Sequence, residues 1–375
     1  MSKCVICGSE LNLVKDYTLL KSVTSDCKPY NNISEMGVCS NCGHVQKFVT
    51  PKYMEEVNEI YRNYEVFKLS SGVEQIIFSG SQQSSRSTMI ADWIKQNLSL
   101  SSQSSILDYG CGDGSALCSF TEVFPETKLY GYDIFEIDRP KTKSLANFKE
   151  MIVGPELETH LKFDLITVIH CLEHVEKPKE VLKSIHQRLS VGGHVFIEVP
   201  NLFVADYDIL VADHVSHFDP AIIRKLLETC GFEIVDLTVE LVTKEISVLA
   251  RKVNNFQNLD FRDYKRVELN RKRVEFMIKK NLTTVAVAKD MLNIYSNVGI
   301  FGSSNSAMWL WGELQKATRL FVDEDVNKHQ KNSNFEIIGP EDVPNNFIIM
   351  VPLVDDIAAL VVKKYANRKC QFVQV

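Results

Sequence analysis

Four cysteines near the start of the chain stand as two close pairs, Cys4-Val-Ile-Cys7 and Cys39-Ser-Asn-Cys42, each followed by a glycine. Two Cys-x-x-Cys turns can close four thiolates around one ion, the tetrahedral arrangement that zinc takes in structural sites. Gly8 and Gly43 allow tight turns that aim backbone amides at the sulfurs. With no coordination position left open, Cys4, Cys7, Cys39 and Cys42 are expected to fold this segment, not to catalyse. A redox dithiol would want a βαβ setting that this turn-rich stretch lacks, and an iron–sulfur centre is the other alternative. Cys27 and His44 read as bystanders.

A second constellation lies in Asp108-Tyr-Gly-Cys-Gly-Asp-Gly114, a glycine-rich turn after a short apolar strand. Gly110, Gly112 and Gly114 would let the backbone approach a ligand at the C-terminal end of that strand. Such glycines also occur in dinucleotide sites. Asp108 inside the strand, and Asp133 at the end of the next one, sharpen the reading. A carboxylate at Asp133 can accept both hydroxyls of a ribose.

These residues need elements to place them, and the chain supplies them in blocks. It has 375 residues, 45% of them hydrophobic and 24% charged, the balance of an ordinary globular protein of two or three domains. A net charge of −6 argues against a dedicated nucleic-acid binder. No apolar run has membrane-spanning length, and the N-terminus lacks the pattern of a signal peptide, so a cytoplasmic protein without a membrane partner is expected. Ten cysteines then read as reduced.

Residues 1–50 are turn-rich, residues 106–251 alternate strand-like and helical patterns, and residues 260–292 read as one long basic helix. From residue 299 the strand–helix alternation resumes. The Ser-rich run 99–105 is a loop before the first central strand. The domains are expected at 1–60, 61–255 with N-terminal lid helices, a bridging helix at 256–295, and 296–375. On the long helix, the cations read either as a solvated face or as an attractor for an anionic substrate.

In Asp108–Gly114 and Asp133 the sequence resembles the class I S-adenosylmethionine-dependent methyltransferases. A third match is the run from Phe163 to Pro178, which opens on Asp164 and carries Glu173-His174-Val175. A helix at 182–189, a turn at Gly192-Gly193 and a fifth strand at 194–200 follow. The resemblance implies a Rossmann-like α/β domain with a seven-stranded mixed sheet. It implies that Asp133 holds the ribose hydroxyls, Ile134 packs on adenine, and Gly110 and Gly112 make room for the methionine portion. Asp108 and Cys111 belong to the same motif, Cys111 only as a small side chain. His170 joins this cofactor set by position, with a structural role as the other reading, as for His194 and for His186 on an exposed helix.

Methyl transfer from a sulfonium asks the enzyme to position a nucleophile and remove its proton. His174 follows the fourth strand, and Asp213-His214 follows the fifth. A carboxylate beside an imidazole fixes its tautomer and raises its basicity, although adjacent residues seldom face each other, so a third group is expected to complete the pairing. His174, His214 and Asp213 are the candidate catalytic residues. His217 is placed with substrate, or packs beside Phe218.

The whole layout resembles the three-domain sugar C-methyltransferases. These join a zinc-binding segment, a methyltransferase domain and a smaller C-terminal Rossmann-like α/β domain, here patterned on Val298–Ala307 and Leu320–Asp325. The resemblance implies a nucleotide-linked keto sugar, a His214 base, and a carbon nucleophile. The family's Tyr-x-Glu-His motif stands here as Val211-Ala-Asp213-His214. A valine cannot hydrogen-bond a developing enolate oxygen, so carbon and hydroxyl both stay open as acceptors. Tyr64, Glu74, Gln75 and Arg86, with Tyr61, are expected on a lid that grips the sugar. Trp309 and Trp311 are expected to pack the C-terminal domain. The expected function is methyl transfer to a sugar in polysaccharide biosynthesis, by a monomer or homodimer. The alternatives are O-methylation of a non-sugar metabolite or glycan end, and a non-catalytic zinc-containing binding module.

Overall fold

Apolar residues on the central strands alternate between two hydrophobic layers, which is what a sheet covered on both faces requires. Ile106, Leu165 and Phe196 pack with Ile90, Ile94, Leu117 and Phe120 from the helices Arg86–Asn97 and Ser115–Val123. Leu107, Ile166, Val195 and Ile197 pack the other way, onto Leu182, Ile185, Ile223 and Leu226 of the helices Pro178–Arg188 and Pro220–Thr229. The structure is a computed structural model that describes residues 3–31, 34–63, 76–79, 82–254, 256 and 259–375.

The central sheet has seven strands: Ser105–Tyr109, Lys128–Asp133, Phe148–Val153, Phe163–Ile169, Leu189–Pro200, Phe232–Thr238 and Glu245–Lys252. Numbered along the chain, they lie side by side in the order 3-2-1-4-5-7-6, and the seventh runs antiparallel to its neighbours. The order reverses between the first and fourth strands, so a crevice opens at their C-terminal ends, where α/β sheets bind ligands. The expected turn at Gly192-Gly193 is absorbed into the fifth strand. Gly192 takes a φ of 73° and the pairing with the fourth strand shifts register there, a bulge in place of a break.

Four short strands make an N-terminal antiparallel sheet in the order Leu11–Leu13, Met36–Cys39, Val45–Lys47 and Ser216–His217. The last of these comes from far along the chain, so a cut at residue 60 does not separate this sheet. The physical reason is its edge: the amides of Val45–Lys47 need a ladder partner, and Ser216–His217 provides it.

The bridging helix spans Tyr264–Ile294, starting later than residue 256 because Asp263 caps it by accepting from the Arg266 amide at 2.9 Å. Several of its cations are paired: Arg266 with Asp219, Arg273 and Lys280 with Asp206, and Lys280 also with Asp355. Asn270 donates to Gly43 O and to Asp219, which ties the N-terminal sheet to the helix. The anion-attracting reading of this helix thus loses three of its cations to internal pairs.

Beyond it, six strands lie in the order Gln330–Lys331, Glu336–Ile338, Leu320–Val322, Val298–Phe301, Ile348–Val351 and Gln371–Gln374, with only the first antiparallel. Trp309 and Trp311 are buried against this sheet. His186 is not on an exposed face: it is buried and its Nε2 meets Val253 O at 2.9 Å, because Gly231 and Phe232 cover that side of the helix. No helix among the described residues is long and apolar enough to cross a membrane.

Candidate functional site

The glycine turn is built by positive φ. Gly110, Gly112 and Gly114 sit at 77°, 54° and 83°, a region that side chains with a Cβ rarely enter. At Gly110 a Cβ would also meet Cys171 Sγ at 2.7 Å. Gly110 and Cys111 amides both donate to Tyr132 O, so the turn is stitched to the second strand. Asp108 is buried and accepts from Thr167 Oγ1 at 2.7 Å, locking the first strand to the fourth. Cys111 lies against Met151 Sδ, and burial pushes its thiol far above the usual range, so it is no nucleophile.

Asp133 ends the second strand with one oxygen accepting from the Gly112 amide at 2.9 Å and the other from Phe135 N at 3.0 Å. Arg139, buried and undetected in the sequence, stands 3.5 Å from Asp133 and donates to Gly112 O, Ile137 O and Phe135 O. Beside this carboxylate Ile134, Phe135 and Ile137 are 48%, 37% and 37% exposed, an apolar patch in water. A cradle without Cβ atoms, a strand-end carboxylate and a bare apolar wall fit the methionine, ribose and adenine parts of S-adenosylmethionine. Gly110, Gly112, Asp133 and Ile134 would hold it.

Across the crevice the histidines gather. Tyr61 links the two sides, its ring 6.0 Å from Phe135 and 6.2 Å from His174. His174 Nδ1 is 3.1 Å from Tyr61 OH, 3.1 Å from Asp213 O and 3.4 Å from an Asp213 carboxylate oxygen. His174 and His214 meet edge to face, ring centroids 4.6 Å apart. His214 Nδ1 donates to Asp208 at 2.7 Å, and His217 Nδ1 to the other oxygen of Asp208. Asp213 and the adjacent His214 do not face each other: Asp213 serves His174, and the third group that serves His214 is Asp208. Burial alone would push the His174 pKa down, but the hydrogen bond to Asp213 outweighs it and the net shift is upward. Burial would raise Asp208 and Asp213, yet the facing histidines hold both carboxyls well below the usual range.

His217 does not reach substrate. It is 1% exposed, because pairing with Val45 turns it inward onto Asp208. Asp213 is also fully buried, capped by the Ser25 amide and hydroxyl, so it orients His174 and cannot itself meet an acceptor. Arg86 opens its helix beside the fifth strand, 3.7 Å from Glu198. His170, grouped above with the cofactor, instead turns its ring into carboxylates: Glu173 at 3.1 Å, Glu198 at 3.5 Å and Glu245 at 3.7 Å. Burial acts to lower its pKa, but Glu245 and its neighbours lift it to about 10. Tyr64, Glu74 and Gln75 lie outside the described residues.

Asp208, Ser25, Glu198 and Glu245 have no place in the sequence reading, and Glu173 stands there only as part of the Glu173-His174-Val175 match. Asp208 had a signal, an acid immediately before the apolar run Ile209–Ala212 that had to be paired if buried. Glu173 sits three residues after His170, Ser25 reaches Asp213 from a distant turn, and Glu198 and Glu245 come to His170 through the sheet.

At the cysteine segment, Cys4 Sγ and Cys42 Sγ are 3.7 Å apart, and Cys7 Sγ and Cys39 Sγ 3.4 Å. Four sulfurs about 2.3 Å from one zinc would have edges of just this order. The amides of Asn41 and Cys42 point at Cys39 Sγ and that of His44 at Cys42 Sγ, while Gly8 and Gly43 adopt φ of 75° and 78°. The four residues therefore fit a closed zinc site. His44, buried, spends its Nε2 on Ser216 Oγ at 3.1 Å.

Comparison with known proteins places this geometry. Residues 83–237 match the family described as a methyltransferase domain. A ubiquinone biosynthesis O-methyltransferase of Pseudomonas putida (strain W619) is 27% identical over 122 residues, 29% of this chain and 50% of that protein. One from Dechloromonas aromatica is 29% identical over 119 residues, again 29% and 50%. The chain thus spans about half the length of the curated relatives it matches. Among solved structures, a 1,6-didemethyltoxoflavin-N1-methyltransferase of Burkholderia thailandensis is similar at 16% identity and a TM-score of 0.40, covering 56% of this chain and 96% of that one. An S-adenosylmethionine-dependent methyltransferase of Clostridium acetobutylicum gives 15% and 0.38, covering 54% and 98%. By the family match residues 83–237 are a methyltransferase domain, and the strand order 3-2-1-4-5-7-6 with its glycine turn lies within that stretch or beside it.

Proposed function

We propose that this protein transfers a methyl group from S-adenosylmethionine to a hydroxyl or carbon of a sugar, nucleotide-linked, with a histidine removing the acceptor's proton. The observation that carries the reading is the pair His174 and His214, each held at Nδ1 by a carboxylate, across one crevice from the Gly110–Gly112 turn. The bound cofactor supplies an electrophilic methyl on a sulfonium. Gly110 and Gly112 admit it, Asp133 fixes its ribose, and Tyr61 stands between its site and the histidines. Asp208 keeps the proton of His214 on Nδ1, so Nε2 carries the lone pair that accepts the acceptor's proton.

The sugar part of the reading is supported by the layout: a four-cysteine segment fit for structural zinc, the methyltransferase domain, and a second, mostly parallel sheet after residue 298. A reducing cytoplasm, which keeps thiols free for a four-cysteine metal site, is the setting this reading implies. A second reading, O-methylation of a non-sugar metabolite, is favoured by the curated relatives, which are named for ubiquinone biosynthesis.

Calorimetry with S-adenosylhomocysteine, and NAD as control, tests the cofactor. Micromolar binding of the first alone, lost in Asp133→Ala, is expected. Release of S-adenosylhomocysteine with nucleotide-linked sugars against a panel of hydroxylated non-sugar metabolites then separates the two readings. Turnover confined to the non-sugar panel would overturn the sugar.

A further inference from the structure

One arrangement in the crevice exceeds what a simple base requires. Glu173 is fully buried, one oxygen accepts from His170 Nδ1 at 3.1 Å, and its Oε2 has no hydrogen-bond partner among the described residues. An unpaired buried carboxylate oxygen is costly unless something positive meets it. His174 and His214 commit Nδ1 to Asp213 and Asp208, and among the described residues no hydrogen-bond partner is recorded for Nε2 of either, which leaves it available as a ligand nitrogen. Ligand atoms of Glu173, His174 and His214 all lie within 4.8 Å of one another. Donors about 2.1 Å from one ion stand roughly 3–4 Å apart, so small side-chain rotations close the set.

We propose that Glu173, His174 and His214 form a binding site for a divalent transition-metal ion. Each donor has its other polar atom anchored by a second residue: His170 behind Glu173, Asp213 behind His174, Asp208 behind His214. Carboxylate–histidine–metal chains of this kind orient ligands and raise their basicity. Two imidazoles and one carboxylate suit manganese, iron or zinc more than calcium or magnesium, which take oxygen donors. Three protein donors leave positions open for water and for an acceptor oxygen. The site is chemically distinct from the four thiolates at the N-terminus, which favour a softer ion.

The consequence for chemistry rests on the methyl-transfer reading; the site itself does not. An ion bound there during turnover would take over the role given above to the histidine base: His174 and His214 would hold it, it would lower the pKa of a bound acceptor hydroxyl, and that proton would pass to water. The oxygen pair would then form the bond to the methyl carbon as the carbon–sulfur pair returned to sulfur, leaving a neutral thioether.

Equilibrium dialysis of the full chain against about 100 µM Mn²⁺, with total bound zinc and manganese counted, tests this. The wild type is expected to hold one ion more than Glu173→Gln, a near-isosteric change. Asp208→Asn is expected to weaken Mn²⁺ binding roughly 10–100-fold. Circular dichroism and S-adenosylhomocysteine titration check that both variants are folded. Equal ion counts in wild type and Glu173→Gln would overturn the site. Cofactor binding without the extra ion leaves the histidine base standing and sinks the ion; the extra ion without cofactor binding does the reverse.

Discussion

Asp208 holds two histidines at once, His214 at 2.7 Å on one oxygen and His217 on the other. One buried charge thereby sets the tautomer and ring angle of a residue facing the crevice, and His217 acts as its brace from within.

Replacing Asp208 by Asn keeps the shape and removes the charge. The methyl-transfer rate is expected to fall by about 10²–10⁴-fold, the range lost when a base or its orienting carboxylate is disabled. S-adenosylhomocysteine affinity should change less than about twofold, since Asp133 and the glycine turn are untouched. Single-turnover kinetics and calorimetry measure the two separately.

Two glycines with similar backbones should respond differently to alanine. At Gly192, φ is 73° and an added Cβ meets nothing within 4 Å, so only the left-handed backbone is penalised, about 1 kcal/mol. At Gly114, φ is 83° and the Cβ would stand 2.2 Å from Thr142 Cγ2. Thr142 Oγ1 donates to Arg139 O at 3.0 Å, so it does not yield freely. Gly114→Ala should cost a further ~1–3 kcal/mol of overpacking and weaken cofactor binding. Urea unfolding of both variants makes the comparison.

Lys47 is fully buried between Tyr17 OH and Ile209 O, and burial drives its pKa down to about 7. Its unfolded value is the ordinary one near 10.5, so between the two the unfolded chain binds more protons than the folded one. This group therefore makes stability rise with pH across that window, by up to ~1.4 kcal/mol per unit. His170, lifted to about 10, acts in the opposite sense, its contribution lost as pH rises through that value. The difference in unfolding free energy between wild type and Lys47→Met cancels the shared part. That difference should shift in favour of the wild type from pH 7 to pH 9. A flat difference would mean that Lys47 keeps its charge.

Removing the metal expected at Cys4, Cys7, Cys39 and Cys42 should hurt turnover more than cofactor binding. The backbone of this segment holds the histidine loop directly: Val45–Lys47 pairs with Ser216–His217, Ala212 N donates to Val23 O at 2.8 Å, and the Ser25 amide caps Asp213. The glycine turn and Asp133 belong to another sheet. With a chelator, or in Cys39→Ser, the methyl-transfer rate should fall at least tenfold more than the affinity for S-adenosylhomocysteine.

The parts of the molecule legible in the sequence were those with local signatures. Gly110–Gly114 after an apolar strand, and Asp133 at the next strand end, announce a crevice because turn geometry and strand period act over a few residues. The cysteine pairs announce a metal for the same reason. The proton-handling array was only half visible. His174 and His214 could be picked by position, but which acid serves which ring depends on side-chain direction inside a folded loop: Asp213 turns to His174, and the third group that His214 needed is Asp208. His217 looked accessible because nothing local says that its backbone will pair with Val45. Glu173 meets His170 three residues on through a local turn, whereas Glu198 and Glu245 come from two other strands and only strand pairing makes them its neighbours.

The four-stranded N-terminal sheet has a consequence for how the chain is made. Val45–Lys47 leaves the ribosome about 170 residues ahead of Ser216–His217, the strand that completes its edge. At about 5–20 residues per second, that edge waits on the order of ten to thirty seconds with its ladder groups open. Such an edge is a template for pairing with another chain, and a lysine on it is a common deterrent. Lys47, buried at a cost once folding is complete, sits where its charge would guard the nascent strand until its partner arrives.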